Sequence, residues 1–242
     1  MSRRMVCVSL LLVVLGIGGL AGSAFWSLKQ APAFYSAELA KPVNPVVRKQ
    51  QAKEFVQATL QLVDEIRNEN QWSERFTDGQ LNSWLEQELP VKYPGWIPPG
   101  VKEPRLKLSS EAIEVAFQYS SSRFNGVVSG RFKPWVLGPN RVAIQVEAIR
   151  IGLMPVSVDQ VLEFIGTDLD RAAERAGCTL EWQERDGFDV LVIERIRIEE
   201  RQPVLEVVQL EQGAIAISGS RHTGSAEPAA AEVARKRLPV AL

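Results

Sequence analysis

The sequence predicts an α+β protein, in which an N-terminal transmembrane helix precedes a curved antiparallel β-sheet with about three helices packed on one face. Three observations support this prediction. Residues 5–28 contain no charged side chain. Between residues 45 and 89, apolar side chains recur at helical spacing behind helix-capping signals. From residue 105 the apolar period falls to two, and the turns are too short for the crossovers that parallel strands need.

The uncharged run from Met5 to Leu28 has the length of a membrane span. At a helical rise of about 1.5 Å per residue it covers roughly 36 Å, enough to cross a hydrocarbon core about 30 Å thick with some tilt. We therefore predict a transmembrane anchor over residues 1–28, which binds the membrane through residues 5–28.

A cleaved signal peptide is the alternative interpretation of this segment. Residues 21–24 offer the small side chains of a cleavage site, but the apolar run continues through Phe25 and Trp26, beyond the roughly 7–15 residues of a signal's apolar region. Basic residues near the ends of the span favour a cytoplasmic N-terminus by a small margin. Both interpretations place the main domain outside the cytoplasm. The predicted location is the cell membrane, single-pass, with an extracytoplasmic domain.

Residues 29–44 are rich in proline and alanine and are predicted to form a semi-extended stalk. Asn44 is a favoured N-cap and Pro45 suits the first helical position, so an amphipathic helix of about six turns should begin there. Thr77 and Gln80 have capping-box spacing and predict a second helix. Pro90 should end that helix, and the proline-rich segment after it is predicted to be a covering flap or a functional loop.

Alternating apolar residues predict eight antiparallel strands. They cover residues 105–108, 113–119, 124–132, 142–148, 178–182, 188–198, 204–210 and 214–218. Gly126 and Gly130 in the third strand predict a bulge or a close approach of another backbone. A third helix with a capping box at Ser157 should end at Gly177. The extracytoplasmic α+β domain is thus predicted over residues 45–221, followed by a disordered tail over residues 222–242.

Composition excludes several functional classes. The formal charge of −1 and the pI near 6.0 argue against a nucleic-acid binder. Cys7 lies in the predicted span, so it cannot form an intrachain disulfide with Cys178. The single histidine, His222, lies in the predicted tail, which argues against a catalytic triad or a histidine-based metal site. We therefore predict no catalytic, cofactor-binding or metal-binding residues, and no enzyme.

Carboxylates are the remaining chemical candidates. A hydrolase would need one desolvated carboxyl beside an ionised one across a cleft. Glu86, Glu88 and Glu103 are the residues to test for that alternative, but exposed helix and strand faces are the preferred explanation for them.

Three apolar residues are candidate ligand or membrane contacts. Trp96 and Ile97 lie between prolines, where a buried core explains them least, and Trp135 is the third candidate. The alternative for the first two is a flap docked on the domain.

Two segments of the chain resemble a loose group of bacterial single-pass proteins of uncharacterised function, the YpmS-like proteins. One runs from Thr77 to Trp84, and the other is a strand that enters a Gly-x-x-Pro turn and a helix, from Ile151 to Val156. The resemblance implies an anchored extracytoplasmic α+β domain with a lipid-accommodating groove between a helix and the sheet. It implies no individual binding residue.

These observations predict a membrane-anchored, non-enzymatic domain that binds a lipid-like ligand or an envelope protein. The alternative is a structural or assembly subunit of a membrane complex. A continuous apolar cavity of several hundred Å³ between the third helix and the sheet would favour the ligand. A filled core would favour the subunit.

Overall fold

The computed structural model describes residues 30–42, 44–97, 99–120, 125–195 and 203–221. The helices and strands in these ranges are α1 (Ala33–Ala40), α2 (Pro45–Asn68), β1 (Gln71–Thr77), α3 (Asp78–Gln87), α4 (Leu89–Lys92), a short 3₁₀ helix (Pro94–Trp96), β2 (Val101–Leu108), β3 (Ile113–Ser120), β4 (Asn125–Gly138), β5 (Arg141–Ile151), β6 (Met154–Pro155), α5 (Val158–Ala176), β7 (Cys178–Arg185), β8 (Phe188–Arg195), β9 (Pro203–Glu211) and β10 (Ala214–Arg221).

The strands form two antiparallel sheets. The large sheet has the order β2-β3-β4-β5-β8-β7, with β6 paired to β5, and the small sheet has the order β1-β10-β9. The α+β class and the antiparallel pairing are therefore confirmed. The single predicted sheet is wrong, because β10 pairs with β1 and so joins a separate sheet.

The helices contact different strands of these sheets. Helix α2 packs against α3 and β1, α3 also packs on β2, and α5 contacts β7 at the opposite edge of the large sheet. These contacts do not test whether about three helices share one face, so that part of the fold stays a prediction. Because β2 and β7 are edge strands, a helix beside either strand can shield its unpaired backbone groups.

The predicted semi-extended stalk is wrong over the residues of α1. Residues 29–44 were expected to be semi-extended, but Ala33–Ala40 form a helix that packs on the large sheet. Tyr35 is only 2% exposed and lies against Ala116 and Val127, with Phe34 beside them. Its hydroxyl donates a hydrogen bond to the Glu103 carbonyl oxygen (3.1 Å). Burial of two aromatic side chains thus outweighs the local preference of a proline-rich segment for an extended form.

The predicted helix starts are confirmed. The Asn44 side chain accepts a hydrogen bond from the Val46 backbone N–H, and Thr77 and Ser157 each form a complete capping box. The predicted end of the second helix differs. Helix α3 stops at Gln87, and Pro90 lies in the first turn of α4, where its missing N–H costs no hydrogen bond.

The turn predictions are also confirmed. Gly177 adopts the left-handed conformation that ends α5 (φ 67°), and β7 and β8 join through the residues Asp186 and Gly187, both with positive φ. The predicted bulge lies between Arg131 and Phe132. The group that approaches Gly130 is the ring of Phe132 and not another backbone.

A compact apolar cluster joins α2 to the small sheet. Leu62, Trp72 and Phe76 are buried in it. The Trp72 indole lies directly over Gly219 of β10, where the pairing of β10 with β9 shifts register. A second cluster in the large sheet contains Ala143, Val190 and Val192, with Trp135 packed against it.

The predicted anchor over residues 1–28, the predicted tail over residues 222–242 and residues 196–198 of the predicted sixth strand lie outside the described residues. Among the helices in the described ranges, none is both long enough and apolar enough to cross a bilayer.

Candidate functional site

A polar cleft lies where α1, α2, α3 and β2 meet. Its volume is about 190 Å³, and its walls include Lys41, Arg48, Gln51, Glu86 and Arg105. A second cavity of about 330 Å³ shares Arg48, Glu86 and Arg105 with the first, so the two are adjacent. The cleft brings together residues that are up to 67 positions apart in the chain, from Glu38 to Arg105.

Glu86 is the centre of the charged network in this cleft. Its Oε1 accepts a hydrogen bond from Arg48 Nη1, and its Oε2 accepts one from Arg105 Nη2 (2.6 Å). The Arg105 side chain is only 7% exposed, and its Nη1 donates to the Pro104 carbonyl oxygen (2.9 Å). One carboxylate therefore connects α2, α3 and β2 through two charged hydrogen bonds, which are stronger than neutral ones.

Neutral side chains support this arrangement. The Asn82 side chain donates to the Leu106 carbonyl oxygen and accepts from the Leu106 N–H, both at 2.8 Å. Because β2 is an edge strand, this amide satisfies backbone groups that have no neighbouring strand. The buried Ser83 hydroxyl donates to Gln51 Oε1 (3.0 Å), which fixes α3 against α2.

The carboxyl of Asp78, at the start of α3, is perturbed by its surroundings. Burial raises its pKa, the positive charge of Lys41 partly offsets this rise, and the negative charge of Glu38 adds to it. The folded protein therefore binds a proton at Asp78 more tightly than the unfolded chain does.

We expect the Asp78→Asn variant to change how the stability of the protein depends on pH, because it removes the carboxyl whose pKa is raised. A raised pKa gives stability that is present below the ordinary value near 3.8 and is lost as pH rises through the higher folded-state value. As the pH rises from 3 to 7, the free energy of unfolding of the wild type should therefore decrease relative to that of Asp78→Asn. Urea titrations of the full chain in non-ionic detergent would measure it. Asp159→Asn, in the first turn of α5 and exposed, is the control, and an equal or opposite trend would contradict the expectation.

A chain of aromatic rings runs from the core to the surface beside the cleft. Ring centroids are 5.2 Å apart for Phe76 and Phe55, 5.3 Å for Phe55 and Trp84, 6.3 Å for Trp84 and Tyr93, and 4.9 Å for Tyr93 and Trp96. The first ring is buried, whereas Trp96 is 71% exposed. Through these ring contacts the exposed Trp96 is connected to the buried Phe76.

The exposed end forms a small apolar surface, which we call the Trp96 surface and define by Val91, Tyr93 and Trp96. Val91 is 76% exposed, and Tyr93 is also exposed. Val91 lies in α4, Tyr93 joins α4 to the 3₁₀ helix, and Trp96 ends that helix, so the three are close together in the chain. The rings of Tyr93 and Trp96 are also in contact. Large apolar side chains grouped in this way are typical of contact sites.

The structure separates the three predicted contact residues. Trp96 is exposed, Ile97 is half-buried, and Trp135 is half-buried against the cluster of the large sheet. Val101 begins β2 five residues after Trp96 and pairs with Tyr119 of β3, which in turn pairs with Gly126 at the start of β4. Trp135 is nine residues further along β4, about 30 Å at roughly 3.3 Å per residue.

Comparison with known proteins does not identify this chain. No protein-family model, curated protein or solved structure matches it. The resemblance to YpmS-like proteins therefore stays a prediction. Its first segment, Thr77 to Trp84, lies at the centre of the site, because it supplies Asn82 and Ser83 to the cleft and Trp84 to the aromatic chain.

The three candidate carboxylates have different surroundings. Both oxygens of Glu86 accept hydrogen bonds from arginines, Glu88 forms an ion pair with Lys92 (2.5 Å), and Glu103 is exposed. Among the residues that the structure describes, no group of three or more histidine, cysteine, aspartate or glutamate side chains could hold a metal ion.

The cleft was missed by sequence reasoning. Arg48 belongs to a helix with many charged residues, and Arg105 alternates with leucines in a strand, so neither residue stands out from its neighbours in the sequence. One sequence feature that bears on the cleft is the capping box of Thr77 and Gln80. It fixes the residue at which α3 begins, and therefore the side of the helix on which Glu86 lies.

Proposed function

We propose that this chain is a single-pass membrane protein whose extracytoplasmic domain is non-enzymatic and rests on the bilayer through the Trp96 surface. In that position the domain would bind a lipid-like ligand or an envelope protein. The observation that supports this most strongly is the exposure of Trp96 and Val91 on a rigid aromatic base.

The chemistry of the Trp96 surface suits a lipid interface. Tryptophan and tyrosine combine an apolar ring with a polar group, and both are enriched at the level of lipid head groups. Lys92, which lies between Val91 and Tyr93, is exposed and can extend to the same level. Because the ring contacts hold Tyr93 and Trp96 in place, little conformational entropy would be lost on contact.

The position of α1 also supports the proposal. The predicted span ends at Leu28, two residues before the first described residue. Tyr35 then contacts Glu103 in β2, and Glu103 is seven residues after Trp96, at most roughly 25 Å along the chain. At the other end of α1, Leu39 shares a cavity with Pro90, which precedes Val91. The anchor and the Trp96 surface would therefore meet the bilayer on the same side.

The two cavities favour a surface contact over the carriage of a buried apolar molecule. Both are lined by arginine and glutamate side chains, and none of the α5 side chains that the structure describes lines either of them. A groove between the third helix and the sheet, as the family resemblance implies, would need an apolar lining from α5.

We expect Trp96 to contact lipid in the full chain. With the protein in vesicles that contain phospholipids brominated on their acyl chains, the Trp96→Phe variant should lose at least about twice as much lipid-dependent tryptophan quenching as Trp135→Phe, because of these two residues only Trp96 would lie at the interface. The quenching of Trp26 in the predicted span is common to both variants. Trp135 is the matched control, since it is half-buried and remote from the Trp96 surface. Equal losses from the two variants would contradict the proposal.

A structural or assembly subunit is the second candidate, and α2 favours it. This helix leaves Val46, Val47, Leu60 and Val63 exposed. A photo-crosslinker in place of Leu60 in intact cells distinguishes the candidates. An assembly subunit gives one stoichiometric protein adduct from Leu60 and none from Gln183, an exposed polar position on β7, whereas a domain that only rests on lipid gives none from either.

A further inference from the structure

We propose that the polar cleft binds a phosphate group, held by Arg48, Gln51 and Lys41 where α1, α2 and α3 converge. This inference goes beyond the proposed function, because it concerns a different set of residues from the Trp96 surface. The arrangement of donors, the charge and the size of the cleft all support it.

The cleft presents more hydrogen-bond donors than acceptors. A guanidinium has five N–H groups, yet in the described structure Arg48 uses only Nη1, which leaves its Nε and Nη2 groups without a partner. The Gln51 side chain is engaged only through its oxygen, by Ser83, so its amide N–H groups are similarly unused among the described residues. Both oxygens of Glu86 are already occupied. A ligand that fits must therefore supply acceptors.

The distribution of charge favours an anion. Arg48 and Arg105 share the single carboxylate of Glu86, so the pair has one positive charge in excess. Lys41 and Glu38 form an ion pair at the rim, so this pair adds no net charge and Lys41 contributes only N–H donors. Glu103 at the rim of the second cavity is exposed and screened by water. The Arg105 side chain is almost completely buried, which strengthens the field of the guanidinium pair at the cleft. The planar fork of Arg48 matches two oxygens of a phosphate.

The size of the cleft limits what can enter. A volume of about 190 Å³ is below the roughly 300–1,000 Å³ of pockets that enclose a drug-sized molecule, so it suits a small group or the end of a larger molecule. The adjacent cavity has apolar walls from Leu39, Leu85 and Pro90. The phosphate could thus belong to free phosphate or to a lipid head group, and the chemistry of recognition is the same.

Isothermal titration of the full chain in non-ionic detergent tests this inference. The two probes are inorganic phosphate and dihexanoyl phosphatidylglycerol. We expect saturable binding of at least one probe, weakened at least about tenfold by Arg48→Gln, because the variant loses the charged hydrogen bonds from the guanidinium to the phosphate. Arg75→Gln is the matched control, since it removes an equal charge from an exposed pair with Glu211. Binding of phosphate alone indicates a free anion, and binding of the lipid alone indicates a head group.

Arg48→Lys keeps the inference testable if Arg48→Gln does not fold, which thermal melts would reveal. The lysine retains the charge beside Glu86 but loses the fork, and binding should still weaken about threefold or more. Absence of saturable binding by both probes, equal weakening by Arg75→Gln, or unchanged affinity in Arg48→Lys would overturn the inference. The lipid-dependent quenching of Trp96 depends on other residues, so its result is independent of this one.

Discussion

Replacement of Glu86 with alanine is expected to lower the free energy of unfolding by about 3 kcal/mol. Removal of one partner from a buried ion pair leaves the other charge uncompensated, which costs roughly 3–5 kcal/mol, and the 27% exposure of the Glu86 side chain places the loss at the lower end. Arg105 would retain only its hydrogen bond to Pro104. Urea denaturation of the full chain in non-ionic detergent, followed by tryptophan fluorescence, would measure the change.

Glu111→Ala is the matched control for this prediction. Glu111 also pairs with an arginine, Arg131 (3.2 Å), but its side chain is 80% exposed, and Glu114 and Glu147 contact the same guanidinium. Its loss should cost less than about 1 kcal/mol. If the two alanine variants lose equal stability, Glu86 does not connect α2, α3 and β2 in the way described.

Replacement of Gly219 with alanine is expected to cost about 3 kcal/mol. A Cβ atom at this position would lie 1.9 Å from the Val204 carbonyl oxygen and 2.3 Å from Cζ2 of Trp72. The carbonyl belongs to the paired strand β9, and the indole is buried, so neither can move without loss of pairing or packing. Overpacking of this kind typically costs about 1–3 kcal/mol, and a backbone clash lies at the upper end. The same denaturation experiment applies, with near-ultraviolet circular dichroism to report the Trp72 environment.

Gly138→Ala provides the comparison. Gly138 ends β4, and a Cβ built there meets no atom within 4 Å. Its replacement should change stability by less than about 0.5 kcal/mol, as is usual for surface substitutions. A loss at Gly138 as large as that at Gly219 would mean that the general flexibility of glycine, and not the contact with Trp72, explains the effect.

Most of the helices and strands could be predicted because their signals are local. The capping boxes at Thr77 and Ser157 and the turn at Asp186 each depend on residues within four positions of one another. Helix α1 and strand β1 could not be predicted in this way. Helix α1 has no side-chain cap and depends on the burial of Tyr35, and β1 pairs with a strand about 140 residues later in the chain.

The candidate site was predicted only in part, for the same reason. Trp96 could be singled out because its neighbours, two prolines and a glycine, form no core of their own. The cleft depends on the meeting of Arg48, Glu86 and Arg105, which come from three separate segments. An arginine in an alternating strand ordinarily faces water. Arg105 is buried because a helix that covers the strand edge brings a carboxylate to it.

The pairing of β1 with β10 dictates when the newly made polypeptide can finish folding. Residues 71–77 are synthesised long before residues 214–221, yet these two segments are neighbours in the small sheet. Until β10 is made, Trp72 and Phe76 lack the partner that completes their cluster. A nascent chain with exposed aromatic residues and an unpaired strand is prone to aggregate. Its biogenesis therefore favours protection by a chaperone until β10 has been translated.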